Sequence, residues 1–356
     1  MIINLKFNEK IKGEKMFKIF SFFRIKKSLA IDLGTANILI YDKQKKKIVL
    51  NEPSVVAKDK KTGKIIAVGS EAREMLGKTP DSIIAIKPLK DGVIADIDST
   101  RQMIDYFLKK IYGNALFKPE IMMCMPLEVT SVERKALFDS VIGAKRIYII
   151  EEGRAAIIGS GVDISRPEGN MVVDIGGGST DIAILSLDEV ISSKSIKVAG
   201  NKFDDDIVKY VRNNYNLLIG DRTAEKIKKE LATALPINEE LIMNVKGRNL
   251  ENGIPKTVQI NANQVQEAIK DSLYEIISST KEVLEKCPPE LAADILDNGI
   301  IMTGGGSLIN NFTALMEKEI KIKVLISDEP LNSVVLGGGK AFDNKNLLKT
   351  LEVREY

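Results

Sequence analysis

The chain has 356 residues, 44% of them hydrophobic, which is enough for two domains that each bury a core. Its 52 Lys and Arg residues nearly balance its 49 Asp and Glu residues, and a net charge of +3 makes no general case for nucleic-acid binding. Histidine is absent, which excludes Ser-His-Asp and Cys-His chemistry and any His-ligated metal. No apolar run reaches the length of about 18 residues that a membrane-spanning helix needs.

The N-terminal arm, residues 1–27, begins with a lysine-rich stretch and continues with an aromatic and basic one. Within the aromatic and basic stretch, residues 16–27, the predicted membrane contacts are Phe17, Ile19, Phe20, Phe22 and Phe23. A short helix of this composition, flanked by Lys and Arg, suits the surface of an anionic bilayer. The alternative is that the segment packs on its own domain or on a neighbouring subunit.

A strand, turn and strand motif begins near Ser28 and recurs in the second half of the chain. The first copy (29–41) reads LAIDLGTANILIY, and the second (171–185) reads MVVDIGGGSTDIAIL. Each predicts a β-hairpin whose small-residue turn brings backbone N–H groups against a phosphate. An Asp at the end of each first strand is a residue type that Mg²⁺ takes as a ligand. Two copies therefore suggest two halves that close on one polyphosphate.

Strands and helices alternate along the rest of the chain. Helices are predicted at 70–76, 99–111, 131–141 (with Ser131 as N-cap), 202–215, 221–231 and 263–287. Strands are predicted at 120–125, 148–150 and 189–198, with paired strands across 240–263. A third glycine element (299–309) reads as a strand, a triple-glycine turn and a helix start, which is a natural nucleotide contact. This pattern indicates an α/β fold with a duplicated mixed sheet.

The three glycine elements resemble those of the ATPase superfamily of actin, sugar kinases and chaperone ATPases. The resemblance narrows to the MreB family, bacterial actin homologues that organise cell shape, over about residues 28–345. It is carried by IDLGTAN (31–37), LNEPSVVA (50–57), AVGSEAREMLGKTP (67–80), DGVIAD (91–96), LLIGDRTAEKIKKE (217–230) and CPPELAADI (287–295), among others. It implies an actin-like ATPase fold of two duplicated α/β domains, in four subdomains around a nucleotide cleft.

The resemblance also implies an order of subdomains. After the arm (1–27) come IA (28–52), IB (53–89), IA again (90–163), IIA (164–200), IIB (201–264), IIA again (265–335), and a return to IA with a tail (336–356).

The resemblance assigns ATP and Mg²⁺ to the cleft. Asp32 and Asp174 would orient Mg²⁺ through its waters. The phosphates would be held by Gly34, Thr35, Ala36 and Asn37 on one side and by Gly176, Gly177, Gly178, Ser179 and Thr180 on the other. Adenosine would be cradled by Glu225, Lys226, Ile227, Lys228, Gly304, Gly305, Gly306 and Ser307. On the residues alone, 225–229 is an ordinary solvated helix face.

For hydrolysis the resemblance assigns catalytic roles to Glu152, which would position the attacking water, and to Ser179, while Glu151 would be structural. Gly153 replaces the family's proline and Ser179 its threonine, and both changes leave the rate of ATP hydrolysis open. The activity implied is a slow ATPase linked to polymerisation.

The implied partners are further copies of the chain, in filaments of paired protofilaments, and membrane shape-determining or cytoskeletal proteins. The implied location is cytoplasmic, on the inner face of the cell membrane, in contact with anionic lipid. The loop 112–118 with Leu116 and Phe117 is a second membrane candidate, although on the residues alone such a pair is more often core.

Three other functions remain open at this point. A small-molecule kinase of the sugar-kinase type would need a spare Asp near the cleft motifs, and we find none. A chaperone ATPase would need room for a peptide-binding domain after the last α/β element. The third is a polymerising scaffold that has lost ATPase activity, which Gly153 makes worth testing.

Overall fold

The computed structural model describes residues 27–113, 118–141 and 143–356. The predicted membrane residues Phe17, Ile19, Phe20, Phe22, Phe23, Leu116 and Phe117 lie outside the described residues. Their roles therefore stay predictions. Among the described residues, no helix combines the length and apolar character needed to cross a membrane.

The first half of the chain builds a mixed sheet and a small antiparallel sheet beside it. Its strands are β1 (Ser28–Leu33), β2 (Asn37–Asp42), β3 (Lys47–Pro53), β4 (Val56–Asp59), β5 (Ile65–Val68), β6 (Ile83–Ile86), β7 (Leu89–Lys90), β8 (Val93–Ile94), β9 (Glu120–Met125) and β10 (Arg146–Glu151). Its helices are α1 (Ser70–Met75), α2 (Ile97–Tyr112), α3 (Ser131–Asp139) and α4 (Glu152–Gly159).

The second half repeats the plan before the chain returns to the first sheet. Its strands are β11 (Asn170–Ile175), β12 (Thr180–Ser186), β13 (Glu189–Ile196), β14 (Leu217–Leu218), β15 (Ile242–Asn249), β16 (Pro255–Asn261), β17 (Ile300–Thr303), β18 (Val324–Ile326) and the returning β19 (Glu352–Glu355). Its helices are α5 (Gly200–Tyr215), α6 (Asp221–Leu231), α7 (Ala262–Glu285), α8 (Pro289–Asn298), α9 (Phe312–Ile320), α10 (Ser333–Ala341) and α11 (Leu347–Thr350).

The two large sheets have matching centres. The first has the order β19-β10-β9-β1-β2-β3 and the second β13-β12-β11-β17-β18. In each, a hairpin (β1–β2 or β11–β12) lies beside a parallel strand (β9 or β17). The small sheets β5-β4-β6 and β14-β15-β16 fall inside the intervals predicted for the two small subdomains. The subdomain boundaries themselves stay predictions.

Three helices begin one or two residues earlier than predicted, at Ile97, Gly200 and Ala262, and two further helix starts differ in how they are formed. The N-cap of α3 is Thr130 and not Ser131, because the side chain of Thr130 accepts from the N–H of Glu133 while the Glu133 carboxylate accepts from the N–H of Thr130. The triple-glycine turn leads into a short 3₁₀ turn, Gly305–Leu308, and not directly into an α-helix. The chain then passes through Asn311 in the left-handed region (φ 60°), so α9 begins only at Phe312.

The two halves are joined by a close crossing of α4 and α10. A Cβ atom built on Gly159 would lie 1.8 Å from the carbonyl oxygen of Ser333, and one on Gly337 would lie 1.7 Å from that of Ala155. The backbones therefore touch, and only glycine fits at these two positions. Buried apolar side chains from both sheets, including Ala30 and Val172, pack in the same cluster as these helices.

Candidate nucleotide cleft

A cavity of about 600 Å³ opens between the two halves, where the first strands of both hairpins end. Its lining includes most of the residues predicted for the nucleotide site: Asp32, Gly34, Thr35, Ala36, Asn37, Glu152, Asp174, Gly176, Gly177, Gly178, Ser179, Glu225, Lys228, Gly304, Gly305 and Gly306. The fold thus gathers residues that are far apart in the sequence onto one surface.

The turns of the two hairpins are in direct contact across the cleft. A Cβ atom built on Gly178 would lie 2.4 Å from Oγ1 of Thr35, and one on Gly177 would lie 2.9 Å from Cβ of Ala36. The N–H of Gly92 donates to Oγ1 of Thr35 at 2.9 Å and secures the same junction. The glycines therefore allow the two turns to approach as closely as backbones can.

Four carboxyl groups cluster at the floor of the cavity: Asp174 and Asp181 are buried, while Asp32 and Glu152 are half-buried and line the cavity. Burial raises the pKa of Asp32 to about 7 and that of Asp181 to about 6. Burial, and then the neighbouring charges of Asp181 and Asp32, raises the pKa of Asp174 well above its usual range. Burial and the same two charges, with that of Asp174, also raise the pKa of Glu152. Ionising all of these carboxyl groups without a cation costs free energy, because each carboxylate is removed from water and is repelled by the other negative charges.

The environment of Asp174 fits a cation. Its side chain is buried, and its Oδ1 atom has no hydrogen-bond partner. The bare backbone of Gly304 lies close to that atom, since a Cβ there would be only 2.7 Å from it. Among the described residues no three acidic or thiol side chains are grouped as a metal cage. Mg²⁺ usually keeps several waters and takes one or two carboxylates, so Asp174 and Asp32 are a suitable pair for it.

Asp181 is a residue of this site that the sequence reasoning missed. It is fully buried, and its Oδ1 accepts from the N–H of Leu127 at 2.9 Å. Its charge is the largest single charge acting on Glu152. The signal for it was available, because Asp181 directly follows the Ser179-Thr180 pair.

The side of the cavity assigned to adenosine is only partly as predicted. Lys228 lines it, and Nζ of Lys228 donates to the carbonyl of Gly200 at 2.7 Å and pairs with Asp204 at 2.9 Å. Apolar residues complete this side: Leu308 and Ile309 from the end of the third glycine element, and Phe203, Leu231, Leu241 and Leu331, which belong to no predicted contact. Only the tertiary fold brings the last four to the cavity, so no short pattern could have identified them.

Four predicted contact residues do not line the cavity. Lys226 is exposed and pairs with Glu230, while Ile227 is in the core of the second half. The hydroxyl of Thr180 donates to the carbonyl of Val198, and that of buried Ser307 donates to Gly304. These hydroxyls hold the turns in shape and do not face the cleft.

Two similar α/β halves, each presenting an Asp and a glycine turn to one interdomain cavity, define an actin-like ATPase fold. Comparison with known proteins identifies the family within this fold class: the family model described as MreB/Mbl protein matches residues 26–350. The chain belongs to the MreB/Mbl family. The resemblance inferred from its motifs is confirmed, and the family match favours a structural ATPase over a small-molecule kinase.

Individual relatives agree with the family match. The cell shape-determining protein Mbl of Bacillus subtilis is 48% identical over 325 residues, which are 90% of this chain and 97% of that protein. The crystal structure of MreB5 of Spiroplasma citri bound to AMPPNP has a TM-score of 0.85 at 37% identity and covers 92% of this chain and 98% of its own. The MamK double helical filament, at 20% identity and a TM-score of 0.77 over 90% of this chain and 99% of its own, shows the fold alone.

Proposed function

We propose that this chain is an ATP-binding, polymerising actin homologue that forms membrane-associated filaments and organises cell shape. The observation that carries the nucleotide part is the buried, unpartnered Oδ1 of Asp174 beside the glycine turns of both halves. Two relatives support it. One is named a cell shape-determining protein, and the other was crystallised with AMPPNP.

The phosphates of ATP would lie between the two turns. Backbone N–H groups of 34–37 and 176–179 supply donors there without side chains that would fill the space. Asp32 and Asp174 would hold Mg²⁺, which neutralises phosphate charge when bound. The apolar side with Phe203 and Leu331 suits the face of a purine ring, and Lys228 is fixed beside it by Asp204.

Slow hydrolysis of ATP would depend on Glu152. This carboxyl is the first residue of α4, faces the cavity, and carries a pKa raised by burial and by Asp181. A raised pKa suits a group that orients a water and accepts its proton near neutral pH. Glu151 instead pairs with Arg154 at 3.1 Å, which suits a structural role.

Assembly and location follow from the family resemblance. Copies of the chain would associate into filaments of paired protofilaments on the inner face of the cell membrane, with the arm 16–27 and the loop 112–118 against anionic lipid. Shape-determining membrane proteins would be further partners.

Titration calorimetry with Mg²⁺-ATP and with metal-free ATP tests the nucleotide site. Asp174→Asn keeps the side-chain volume but removes the charge, so Mg²⁺-ATP affinity should fall by about tenfold or more, since a hydrogen bond or contact to a buried charge is worth about 1.5–3 kcal/mol. Metal-free ATP should bind no worse than to the wild type. Asp98→Asn, on an exposed helix position, is the matched control.

Two results would overturn the proposal. Unchanged Mg²⁺-ATP affinity in Asp174→Asn would remove the metal assignment. Absence of filaments by electron microscopy, with ATP and lipid vesicles present and the protein folded, would remove the assembly function.

A further inference from the structure

Asp181 is a fully buried carboxylate that joins the two halves of the molecule. It lies on β12 in the second sheet, and its Oδ1 accepts from the N–H of Leu127 at 2.9 Å. Leu127 follows β9 of the first sheet, and Pro126 before it has no N–H to donate. None of the surface of Asp181 is exposed, so the carboxylate supports Leu127 from behind the wall of the cavity.

The stability of the fold does not account for an aspartate at this position. Oδ2 of Asp181 is buried and has no hydrogen-bond partner among the described residues. A carboxylate that leaves water without full hydrogen bonding costs free energy, and apolar groups of the same shape are often no less stable in its place. Asp174, opposite Asp181 on β11, adds a second buried carboxylate. The hydrogen bond to Leu127 is therefore the contact through which Asp181 can act.

Leu127 carries this support to the start of α4. A Cβ atom built on Gly153 would lie 3.2 Å from Cδ1 of Leu127 and 3.1 Å from Cβ of Ala183. Ala183 follows Asp181 by two positions on β12, so the two side chains lie on the same face of that strand. That face therefore packs against Gly153 directly, through Ala183, and indirectly, through the bond from Leu127 to Asp181.

Glu152 depends on these contacts because the start of α4 has little support of its own. The N-cap residue, Glu151, makes no capping hydrogen bond with its side chain, which pairs with Arg154 instead. Gly153, the residue after Glu152, brings no side chain that could fix the turn. Asp181 also lies close enough to act on Glu152 by charge: burial raises the pKa of Glu152 most, and the charge of Asp181 is the next cause.

We propose that Asp181 is a positioning residue for ATP hydrolysis, which holds Glu152 in place through its hydrogen bond to Leu127 and the packing of Leu127 on Gly153. The inference rests on the hydrolytic role of Glu152 in the proposed function and adds to it a residue behind the cavity wall. Because Asp181 and Leu127 belong to different halves, the position of the Glu152 carboxylate depends on how the halves are joined at the cavity floor.

The test measures phosphate release at increasing concentrations of Mg²⁺-ATP, per mass of sedimented filament, and the binding of Mg²⁺-AMPPNP. Asp181→Ala removes the acceptor for the N–H of Leu127, whereas Asp181→Asn keeps an acceptor oxygen and removes the charge. The matched control is Asp42→Ala. Asp42 is also buried and accepts backbone N–H groups, but at the end of the first sheet opposite the cavity.

Asp181→Ala should lower kcat about tenfold to a hundredfold, because a reacting group displaced by about 1 Å can lose about 10²-fold in rate. KM for Mg²⁺-ATP and Kd for Mg²⁺-AMPPNP should stay within about twofold of the wild type, since only the chemical step depends on Glu152. Asp181→Asn should return kcat to within about threefold of the wild type, because it restores the hydrogen bond. Asp42→Ala should lower the melting temperature and leave kcat unchanged.

Three results would overturn the proposal. The first is a kcat in Asp181→Asn as low as that in Asp181→Ala, which would mean that the charge matters and the hydrogen bond does not. The second is a wild-type kcat in Asp181→Ala. The third is a rise of KM and Kd together with the loss of kcat, which would make Asp181 a structural residue of the binding site.

Leu127→Ala tests the second contact, and replaces Asp181→Ala if that variant does not fold. It keeps the N–H that Asp181 accepts from and removes the contact with Gly153. A kcat about threefold to tenfold lower with unchanged Kd would support the proposal, because Glu152 would be displaced less than by loss of the hydrogen bond. A wild-type kcat would overturn it.

Glu152→Gln in the same assay separates this inference from the proposed function. If the wild type releases no phosphate, or if Glu152→Gln releases it at the wild-type rate, the hydrolytic role of Glu152 is wrong and this inference falls with it. If Glu152→Gln loses the activity while Asp181→Ala keeps it, only the positioning role of Asp181 is wrong.

Discussion

Arg73 and Glu225 form an ion pair of 2.5 Å that crosses from the first half of the molecule to the second. Arg73 is on α1, beside the small sheet of the first half, while Glu225 is on α6 and lines the nucleotide cavity. Both side chains are partly exposed, so the contact can break without unfolding either half. The pair therefore stabilises the arrangement in which the cleft is closed on this side.

Replacing Arg73 should speed nucleotide release. Arg73→Gln removes the cross-cleft contact, and dissociation of a fluorescent ATP analogue should be about threefold to fivefold faster, since a partly exposed pair contributes about 1 kcal/mol. Lys226→Gln, on the exposed face of α6, is the charge-matched control and should have no effect. Equal dissociation rates in wild type and Arg73→Gln would show that the pair does not hold the cleft.

The same pair should persist at mildly acidic pH. Burial raises the pKa of Glu225, but hydrogen bonds from Lys229 and Arg73 outweigh it and lower that pKa to about 2. A carboxylate with a lowered pKa contributes stability above its unfolded value, about 4.3, and loses it only as pH falls toward the folded value. The difference between wild type and Arg73→Gln should therefore be the same from about pH 8 to about pH 5, as measured by stopped-flow fluorescence.

Substitutions of the two neighbouring glutamates, Glu151 and Glu152, should have different effects on the rate of phosphate release. Glu152→Gln should lower the rate on the order of 10²-fold, because a positioned proton acceptor contributes at least that much, while ATP binding survives. Glu151→Gln should leave the rate within about threefold, since Glu151 is occupied by Arg154. If Glu151→Gln lowers the rate more than Glu152→Gln does, the catalytic role belongs to Glu151.

Gly178 should tolerate no side chain. Gly178→Ala places a Cβ atom 2.4 Å from Oγ1 of Thr35 and 2.7 Å from the N of Gly92, so the two turns must separate. Overpacking of this kind costs about 1–3 kcal/mol, which thermal unfolding should show together with weaker ATP binding. Gly220→Ala is the control, because a Cβ there meets nothing within 4 Å. Equal melting temperatures for both variants would contradict the close contact.

Arg154 should matter for stability more than a surface arginine. It is buried, with Nε 3.1 Å from Glu151 and Nη2 3.5 Å from Glu189 on β13, so it links β10 and α4 to the second sheet. Arg154→Met should lower the free energy of unfolding by about 1–3 kcal/mol, less than for a fully buried pair because both glutamates are partly exposed. Arg166→Gln, in an exposed pair with Asp163, should cost less than about 0.5 kcal/mol by denaturant titration. A smaller loss for Arg154→Met than for Arg166→Gln would contradict this link.

The sequence was sufficient for elements whose signal is local. The two hairpins, the strand Glu120–Met125 and the helix Asp221–Leu231 lie where their patterns predict them. The starts of α3 and of the helix after the triple-glycine turn were predicted incorrectly. At each, neighbouring polar or glycine residues are equally plausible from sequence, and hydrogen bonds such as the one from the N–H of Glu133 to Thr130 decide between them.

The site was predictable only where a motif marks it. The glycine turns and Asp174 carry recognisable spacing, whereas Phe203 and Leu331 reach the cavity through tertiary packing. Ile227 was wrongly predicted to contact the nucleotide. It lies inside a motif, but the period of the helix directs its side chain into the core of the second half. The ion pair of Arg73 with Glu225 joins residues 152 positions apart, and no sequence pattern in either helix predicts it.

The crossing of α4 and α10 has a mechanical consequence. The backbones touch at Gly159 and Gly337, and Nζ of Lys340 on α10 donates to the carbonyl of Gly159 at 2.9 Å, so the two helices are held as one unit. Because the same short helix begins at Glu152 and ends at Gly159, the crossing fixes the height of that carboxylate between the two halves.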